Sequence, residues 1–282
     1  MHFLLLVILC STSIALILKY NDTRKGELIV LLAGNYLVAS SIALILLLIS
    51  PSAIFSSQTL LFGAALGFLF VITFFALALA IKHAGTGLAI TSSRLSVIIP
   101  IIISILFFNE TPNELYLIGF VFTFITFILF YFSVKSGHKD GDGKLKYLFL
   151  LAVFVGIGIN DFALKLFKVI RIEQEEPFFI LFIFSSAFIY SSAYIIIKKI
   201  KIEKQTALWG FTLGIPNVPT TVFLLNALAI LPAIVVFPLM NVGIILLTTL
   251  MAFWIWKEKL NRWGVLALAS GLIAILFLSL GR

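Results

Sequence analysis

Polar residues interrupt an otherwise apolar chain at regular intervals, and the apolar stretches between them are about as long as a bilayer is thick. A helix rises 1.5 Å per residue, so crossing the hydrocarbon takes about 20 apolar residues. The pattern predicts ten such helices, over 3–18, 27–49, 59–81, 86–108, 114–134, 145–167, 177–197, 206–230, 233–256 and 262–280. The first is short. The boundary between the third and fourth rests on Lys82-His83-Ala84-Gly85. The longest polar stretch, Lys135 to Lys146 with Gly137, Gly141 and Gly143, separates the fifth from the sixth at the midpoint of the chain.

The two halves echo one another. Ala78-Leu79-Ala80-Ile81 returns as Ala227-Leu228-Ala229-Ile230, 149 positions later. Phe62 and Phe211 keep that offset, and it sets Gly67 opposite Pro216, two residues that perturb helices. Asn109-Glu110 falls opposite Lys257-Glu258 at offset 148, and Ser40-Ser41 opposite Ser191-Ser192 at offset 151. A collinear series predicts one five-helix unit used twice: 1–134, a linker at 135–144, and 145–282. Internal repeats in a strongly apolar chain are a mark of transporters.

Charge orients the spans. Lys19, Arg24, Lys25, Lys82, Lys135, Lys139, Lys144, Lys146, Lys198, Lys199, Lys201, Lys204, Lys257, Lys259 and Arg262 all follow odd-numbered spans, and they make up fifteen of the 20 basic residues. The other side holds Lys168, Arg171 and Arg282, while Arg94 and Lys165 lie within spans. By the positive-inside rule the odd-numbered loops are cytoplasmic and both termini are outside. Five helices per unit then turn the second copy upside down. The charges agree, because Asn109-Glu110-Thr111-Pro112 carries no basic residue and its counterpart carries three.

Composition narrows the class. Hydrophobic residues make up 62% and charged residues 11%, with mean hydropathy +1.19, against about half apolar and a quarter charged in soluble domains. The expected class is an all-α integral membrane protein, ten transmembrane helices as two inverted five-helix repeats. The net charge of +8 is explained by the basic loops and does not call for nucleic acid. Cys10, the only cysteine, lies inside the first span, where it offers no disulfide and no metal cluster. The N-terminus lacks the basic start of a signal peptide, so the first span is read as a retained helix.

The ends of the fourth span of each repeat carry the most specific pattern. An apolar helix closes on an acidic turn and a fifth helix follows. The stretches run from Pro100 to Asn109-Glu110-Thr111-Pro112 and on to Gly119, and from Trp254 through Lys257-Glu258 to Gly264 and Gly271. With the helix count and the repeat, they resemble the drug/metabolite transporter (DMT) superfamily with paired EamA-like domains, over nearly the whole chain. The first helix departs from that family, with Ser11-Thr12-Ser13 in place of its common Trp-Gly pair. The resemblance implies a ten-helix secondary transporter with a central cavity. Members of the family move amino acids, metabolites, nucleotide sugars or drugs.

Polar residues inside the spans are the candidate site, because a charge at mid-bilayer costs roughly 2.5–3.5 kcal/mol on insertion scales. Asp161 follows Gly156, Gly158 and Asn160, about 22 Å along its helix from Lys146. It reads as a proton-titrating or cation-binding carboxylate, or else as an i,i+4 partner of Lys165. Arg94 lies roughly 13 Å into its span behind Thr91, Ser92 and Ser93. Its planar fork suits a carboxylate or phosphate, and the plainer readings make it a structural partner of Asp161 or of helix carbonyls, or a side chain snorkelling toward the cytoplasm. Together the two could hold the ends of a zwitterion. Asn35, Tyr36, Asn217, Asn241 and Thr12 lie at similar depth, each also fit for an interhelical hydrogen bond. Pro216 and Pro219 flank Asn217 and mark the eighth span as a cavity wall and gate. The tryptophans read as an interfacial belt, and Arg171 with Glu173, Glu175 and Glu176 as a solvated outer loop.

No Walker loop, Ser/His/Asp set or zinc spacing appears, and His2, His83 and His138 lie at span ends or in loops. An enzyme, a cofactor and a metal are therefore not expected. A secondary active transporter of a small polar metabolite, an amino acid or a relative, is expected in the cytoplasmic membrane. Alternating access is the expected mechanism, with Asp161 carrying any proton coupling. Its partners are a small-molecule substrate and the lipid bilayer, with a monomer as the assembly. A uniporter, exchanger or drug exporter of the same fold is the alternative, and a channel or a membrane-embedded enzyme lies further off.

Overall fold

A computed structural model of the chain describes all residues except 25, 136–144, 258–260 and 282. The linker at 135–144 after its first residue, and Glu258 of the second acidic turn, lie outside the described residues. The described residues form α1 (His2–Thr23), α2 (Leu28–Leu48), α3 (Ser57–Ala84), α4 (Thr86–Leu95), α5 (Ile98–Phe107), α6 (Glu114–Lys135), α7 (Leu145–Ile170), α8 (Glu176–Lys198), α9 (Lys204–Ile230), α10 (Ala233–Trp256) and α11 (Arg262–Leu280), with a short 3₁₀ turn at Glu173–Glu175. Ten helices are long and apolar enough to cross a membrane, α4 and α5 together supplying one, Leu88–Phe107. The outside of the bundle is apolar, with Leu48, Ile196 and Trp254 each about three-quarters exposed. A water-soluble protein does not carry apolar surface on that scale.

The expected spans match these helices closely, with two differences. α1 runs through Lys19 and Tyr20 to Thr23, because an amphipathic helix end can leave the hydrocarbon without losing its backbone ladder. The fourth span is broken between α4 and α5, two residues beyond Arg94. Pro100 is the cause. It has no N–H to offer the Ser96 carbonyl four residues back. Ile99 N donates to that carbonyl instead, at 2.9 Å, and Val97 N turns back to Arg94 O at 3.4 Å. Helix ends elsewhere use left-handed residues: Gly85 (φ 83) between α3 and α4, Asn109 (φ 54) after α5 and Lys257 (φ 53) after α10.

Numbered as ten spans, the helices pack in pairs that recur five spans on. The contact of spans 1 and 8 (α1 on α9) has its counterpart in 6 and 3 (α7 on α3). That of 2 and 8 (α2 on α9) is matched by 7 and 3 (α8 on α3), and that of 1 and 9 (α1 on α10) by 6 and 4 (α7 on α4 and α5). Spans 2 and 7, 4 and 9, and 5 and 10 touch each other directly.

Close approach depends on glycine at two of these crossings. A Cβ on Gly210 would stand 3.1 Å from Gly34 Cα, and one on Gly214 would stand 2.6 Å from the Asn35 carbonyl. A Cβ on Gly63 would meet Phe182 Cβ at 2.7 Å, and one on Gly67 would meet Ala187 N at 3.1 Å. Gly63-x-x-x-Gly67 and Gly210-x-x-x-Gly214 are 147 positions apart, an offset different from the 149 that sets Gly67 against Pro216. Burial supports the same shift. Ala80 and Ala227 are both fully buried, whereas the 149 offset would match Ala80 with the exposed Ala229.

α6 and α11 lie antiparallel and cap each other. Asn113 Oδ1 accepts from Tyr116 N at 2.9 Å, and its Nδ2 donates to Gly281 O at 2.5 Å. At the other end Asn261 Oδ1 accepts from Gly264 N at 2.8 Å, and its Nδ2 donates to Ser133 O at 2.9 Å. Between them Thr126 and Ser270 join their hydroxyls at 3.2 Å. Asn113→Ala and Asn261→Ala each remove one helix cap and one interhelical bond. Each is expected to lower stability by about 1–2 kcal/mol. Thermal unfolding in detergent should show two shifts of similar size.

Candidate functional site

The exposed residues of α7, among them Leu148, Leu151, Val155 and Ile159, lie along one face. Away from that face α7 packs inward on two sides, with Gly156 against Thr73 of α3 on one and Gly158 against Ile99 of α5 on the other. At about 100° per residue, Asp161 points between those two directions. It sits deep in the bundle yet keeps some accessible surface. Its carboxylate has no hydrogen-bond partner among the described residues. Asn160 Nδ2 reaches Thr73 Oγ1 at 3.3 Å and leaves its Oδ1 without a partner.

Arg94 enters from α4 at the edge of the Pro100 break. Its Nη1 donates to Asn241 Oδ1 of α10 at 3.1 Å, and its Nε is buried with no partner. Asn241 is oriented by its own Nδ2, which donates to Phe237 O at 3.0 Å. Arg94 and Asp161 attract one another electrostatically but form no ion pair, so each keeps bonding capacity for a third group. α10, which carries Asn241, is the most enclosed span, with 72% of its most apolar window buried.

The remaining candidates fall into separate places. Asn217 Nδ2 donates to Asn35 Oδ1 at 2.9 Å, joining α9 to α2 beside the glycine crossing. Asn35 Nδ2 and the hydroxyl of the fully buried Tyr36 have no partner, and the Tyr36 ring faces Phe184 at 6.4 Å. Thr12 is buried on α1 with its hydroxyl unpaired. Ser92 donates to Leu150 O at 2.7 Å, which pins α4 to α7. Pro216 and Pro219 sit inside a continuous α9, where Thr220 donates to Pro216 O at 2.7 Å.

Seven buried side-chain atoms lack a partner among the described residues: Thr12 Oγ1, Asn35 Nδ2, Tyr36 OH, Arg94 Nε, Ser104 Oγ, Asn160 Oδ1 and Thr248 Oγ1. Five of the seven belong to residues singled out from sequence. Thr73, Ser104 and Thr248 had no signal there, since a hydroxyl in an apolar helix often bonds its own backbone.

Two sequence expectations are corrected. Lys165 does not pair with Asp161. It makes an ion pair with Glu110 at 2.7 Å, both side chains about a tenth exposed. The second oxygen of Glu110 accepts from Ile234 N at 3.0 Å, at the start of α10. Glu175 and Arg171 are not a solvated loop. Arg171 grips Glu175 through Nε at 2.8 Å and Nη2 at 2.7 Å, and reaches Gln58 and Ser56 across the bundle. Glu175 is buried and also accepts from Thr59. Charge patterning finds partners along one helix but not between helices distant in sequence.

No group of His, Cys, Asp and Glu among the described residues could hold a metal ion. No family model matches this chain. An uncharacterized protein of Haemophilus influenzae is 29% identical over 289 residues, covering 98% of this chain and 96% of its own length. A crystal structure described only as that of a protein aligns with TM-score 0.78 over 99% of this chain and 95% of that one. At 15% identity that likeness speaks to the fold alone.

Proposed function

We propose that this chain is a secondary active transporter of the DMT type. It moves a small polar metabolite, an amino acid or a relative, across the cytoplasmic membrane by alternating access. The observation that carries the reading is the set of unpaired polar atoms inside a lipid-facing bundle. A buried donor or acceptor left unmade costs about 1–3 kcal/mol. Five such atoms on candidate residues, with an unbonded carboxylate and a half-used guanidinium between α4, α7 and α10, suit a group that arrives and leaves.

The inverted repeat belongs to the same reading. Contacts that recur five spans on, glycine pairs 147 apart and left-handed ends at Asn109 and Lys257, 148 apart, support two copies of one unit. Two such copies give one fold two related states. By the positive-inside rule, the basic residues after the odd-numbered spans support cytoplasmic loops there and both termini outside. Trp209, Trp254, Trp256 and Trp263, which all sit beside those loops, fit a headgroup belt. Asp161 carries the proton coupling.

Uptake into proteoliposomes of pooled amino acids and polar metabolites, with and without an imposed pH gradient, tests the reading. Saturable uptake of one solute that follows the gradient and is lost in Asp161→Asn is the expected result. Saturable uptake indifferent to pH would leave a uniporter or exchanger and remove the coupling role of Asp161. No uptake of any solute would overturn the substrate class.

A further inference from the structure

Resting on the transporter reading, we propose that Lys165 is a two-position switch. Paired with Glu110 it latches one end of the bundle shut. Paired with Asp161 it lets that end open, so a cation held at Asp161 keeps the latch closed. Four observations meet here. First, Glu110 is a three-way tie, holding Lys165 of α7 through one oxygen and the Ile234 amide of α10 through the other, from the turn that follows α5. Second, Lys165 lies one helical turn from Asp161 on the same inward face. Third, Asp161 has no hydrogen-bond partner among the described residues, so its carboxylate can take an ammonium. Fourth, Lys165 Nζ stands 5.8 Å from the Phe108 ring centre, and Lys19 stands 5.0 Å from Trp256 at the opposite end of the bundle. The Phe108 ring gives the Lys165 ammonium a second contact beside Glu110.

Electrostatics sets the direction. The charged group facing Asp161 is Arg94 from α4, and Lys165, one turn on along α7, is turned to Glu110. At that depth α3, α5 and α9, the other helices packed on α7, carry only uncharged residues. Releasing Lys165 from Glu110 strands a cation in a nearly dry site unless a second carboxylate takes it. Ionised, empty Asp161 is that carboxylate. A proton or a substrate ammonium on Asp161 removes the alternative, and Lys165 returns to Glu110. The shared chemistry is one positive charge, and its two sources are separable.

Ser104 is the reporter. It is 1% exposed, its hydroxyl has no partner, and its carbonyl accepts from Glu110 N at 3.2 Å, directly beneath the latch. Ser104→Cys in a Cys10→Ser background, purified in lipid nanodiscs, is labelled with a membrane-impermeant maleimide. Rates are normalised to the exposed Ser52→Cys. Glu110→Gln and Lys165→Gln should each speed labelling at least tenfold. Asp161→Asn should slow it about fivefold below the parent. The exchange Glu110→Lys with Lys165→Glu restores the ion pair between α7 and the turn after α5, though not the bond from the Ile234 amide, and cannot pair with Asp161. Labelling should then be slow and indifferent to Asp161→Asn, an outcome that a merely structural ion pair would not give. Slowing on going from pH 8 to 5.5 assigns the cation to a proton, and slowing by ethylammonium at pH 8 assigns it to a substrate amine. Labelling unchanged in Glu110→Gln, or unmoved by both cations, overturns the switch. Uptake by the same variants keeps the failures apart. Uptake with unaltered labelling sinks the switch alone, and the predicted labelling order without uptake sinks the transport reading alone.

Discussion

Arg94→Ala is expected to lower transport by about 10- to 100-fold while the folded yield is kept. The estimate follows from hydrogen bonds to charged groups, worth about 1.5–3 kcal/mol each, and from a buried Nε with no other partner. Alanine removes the fork that a substrate anion would use. It also leaves Asn241 Oδ1 without its donor and Asp161 without the guanidinium that it faces. Arg94→Lys separates the two roles. Lysine keeps the charge but is a point donor rather than a planar fork. If recognition is bidentate, Arg94→Lys raises the half-saturating substrate concentration and spares the maximal rate. Uptake kinetics of both variants in proteoliposomes, beside size-exclusion profiles, give the answer. Transport by Arg94→Ala at the parental rate would remove Arg94 from the site.

The largest effect on stability is expected at the glycine crossings. In Gly210→Ile the new Cβ meets the Leu31 carbonyl and Gly34 Cα, both backbone and unable to rotate away. α2 and α9 must then part, and the Asn35–Asn217 bond beside them is strained. Overpacking of this kind costs typically 1–3 kcal/mol and occasionally more. About 3 kcal/mol or more is expected here because the obstacle is main chain. Gly67→Ile, opposite Gly214 in the packing, meets Ile183 and Ala187 backbone in the same way and should cost as much. Leu208→Ala, on the exposed face of α9, should cost far less. Thermal unfolding in detergent ranks the three. A mild Gly67→Ile beside a severe Gly210→Ile would break the equivalence of the two crossings.

The spans could be read from sequence because lipid imposes a length and an apolar run that few other environments require. The break after Arg94 could not, since proline in a membrane helix often kinks it without ending it, and only the bonds at Ser96 show which occurred. The echo between the halves was visible, but its clearest match has the 149 offset and not the 147 of the glycine crossings. The Ala78–Ile81 and Ala227–Ile230 identity is one of composition, with the fully buried Ala80 set against the exposed Ala229. Glycines at 147 are fixed instead by backbones that must nearly touch. The candidate site was legible residue by residue, because polar groups in a span are costly and stand out. Which of them meet was not. The join of Arg94 to Asn241, and of Lys165 to Glu110 rather than to its neighbour Asp161, depends on helices far apart in sequence.

The reciprocal caps of α6 and α11 bear on biosynthesis. α6 is synthesised before the midpoint of the chain, but Asn113 finds its second bond only at Gly281, one residue after the last helix. The hydroxyl of Thr126 likewise waits for Ser270. The first half is thus made with one flank unfinished. It is completed only once α11 has been made, so damage to the end of α11 would be felt first in a helix made more than a hundred residues earlier.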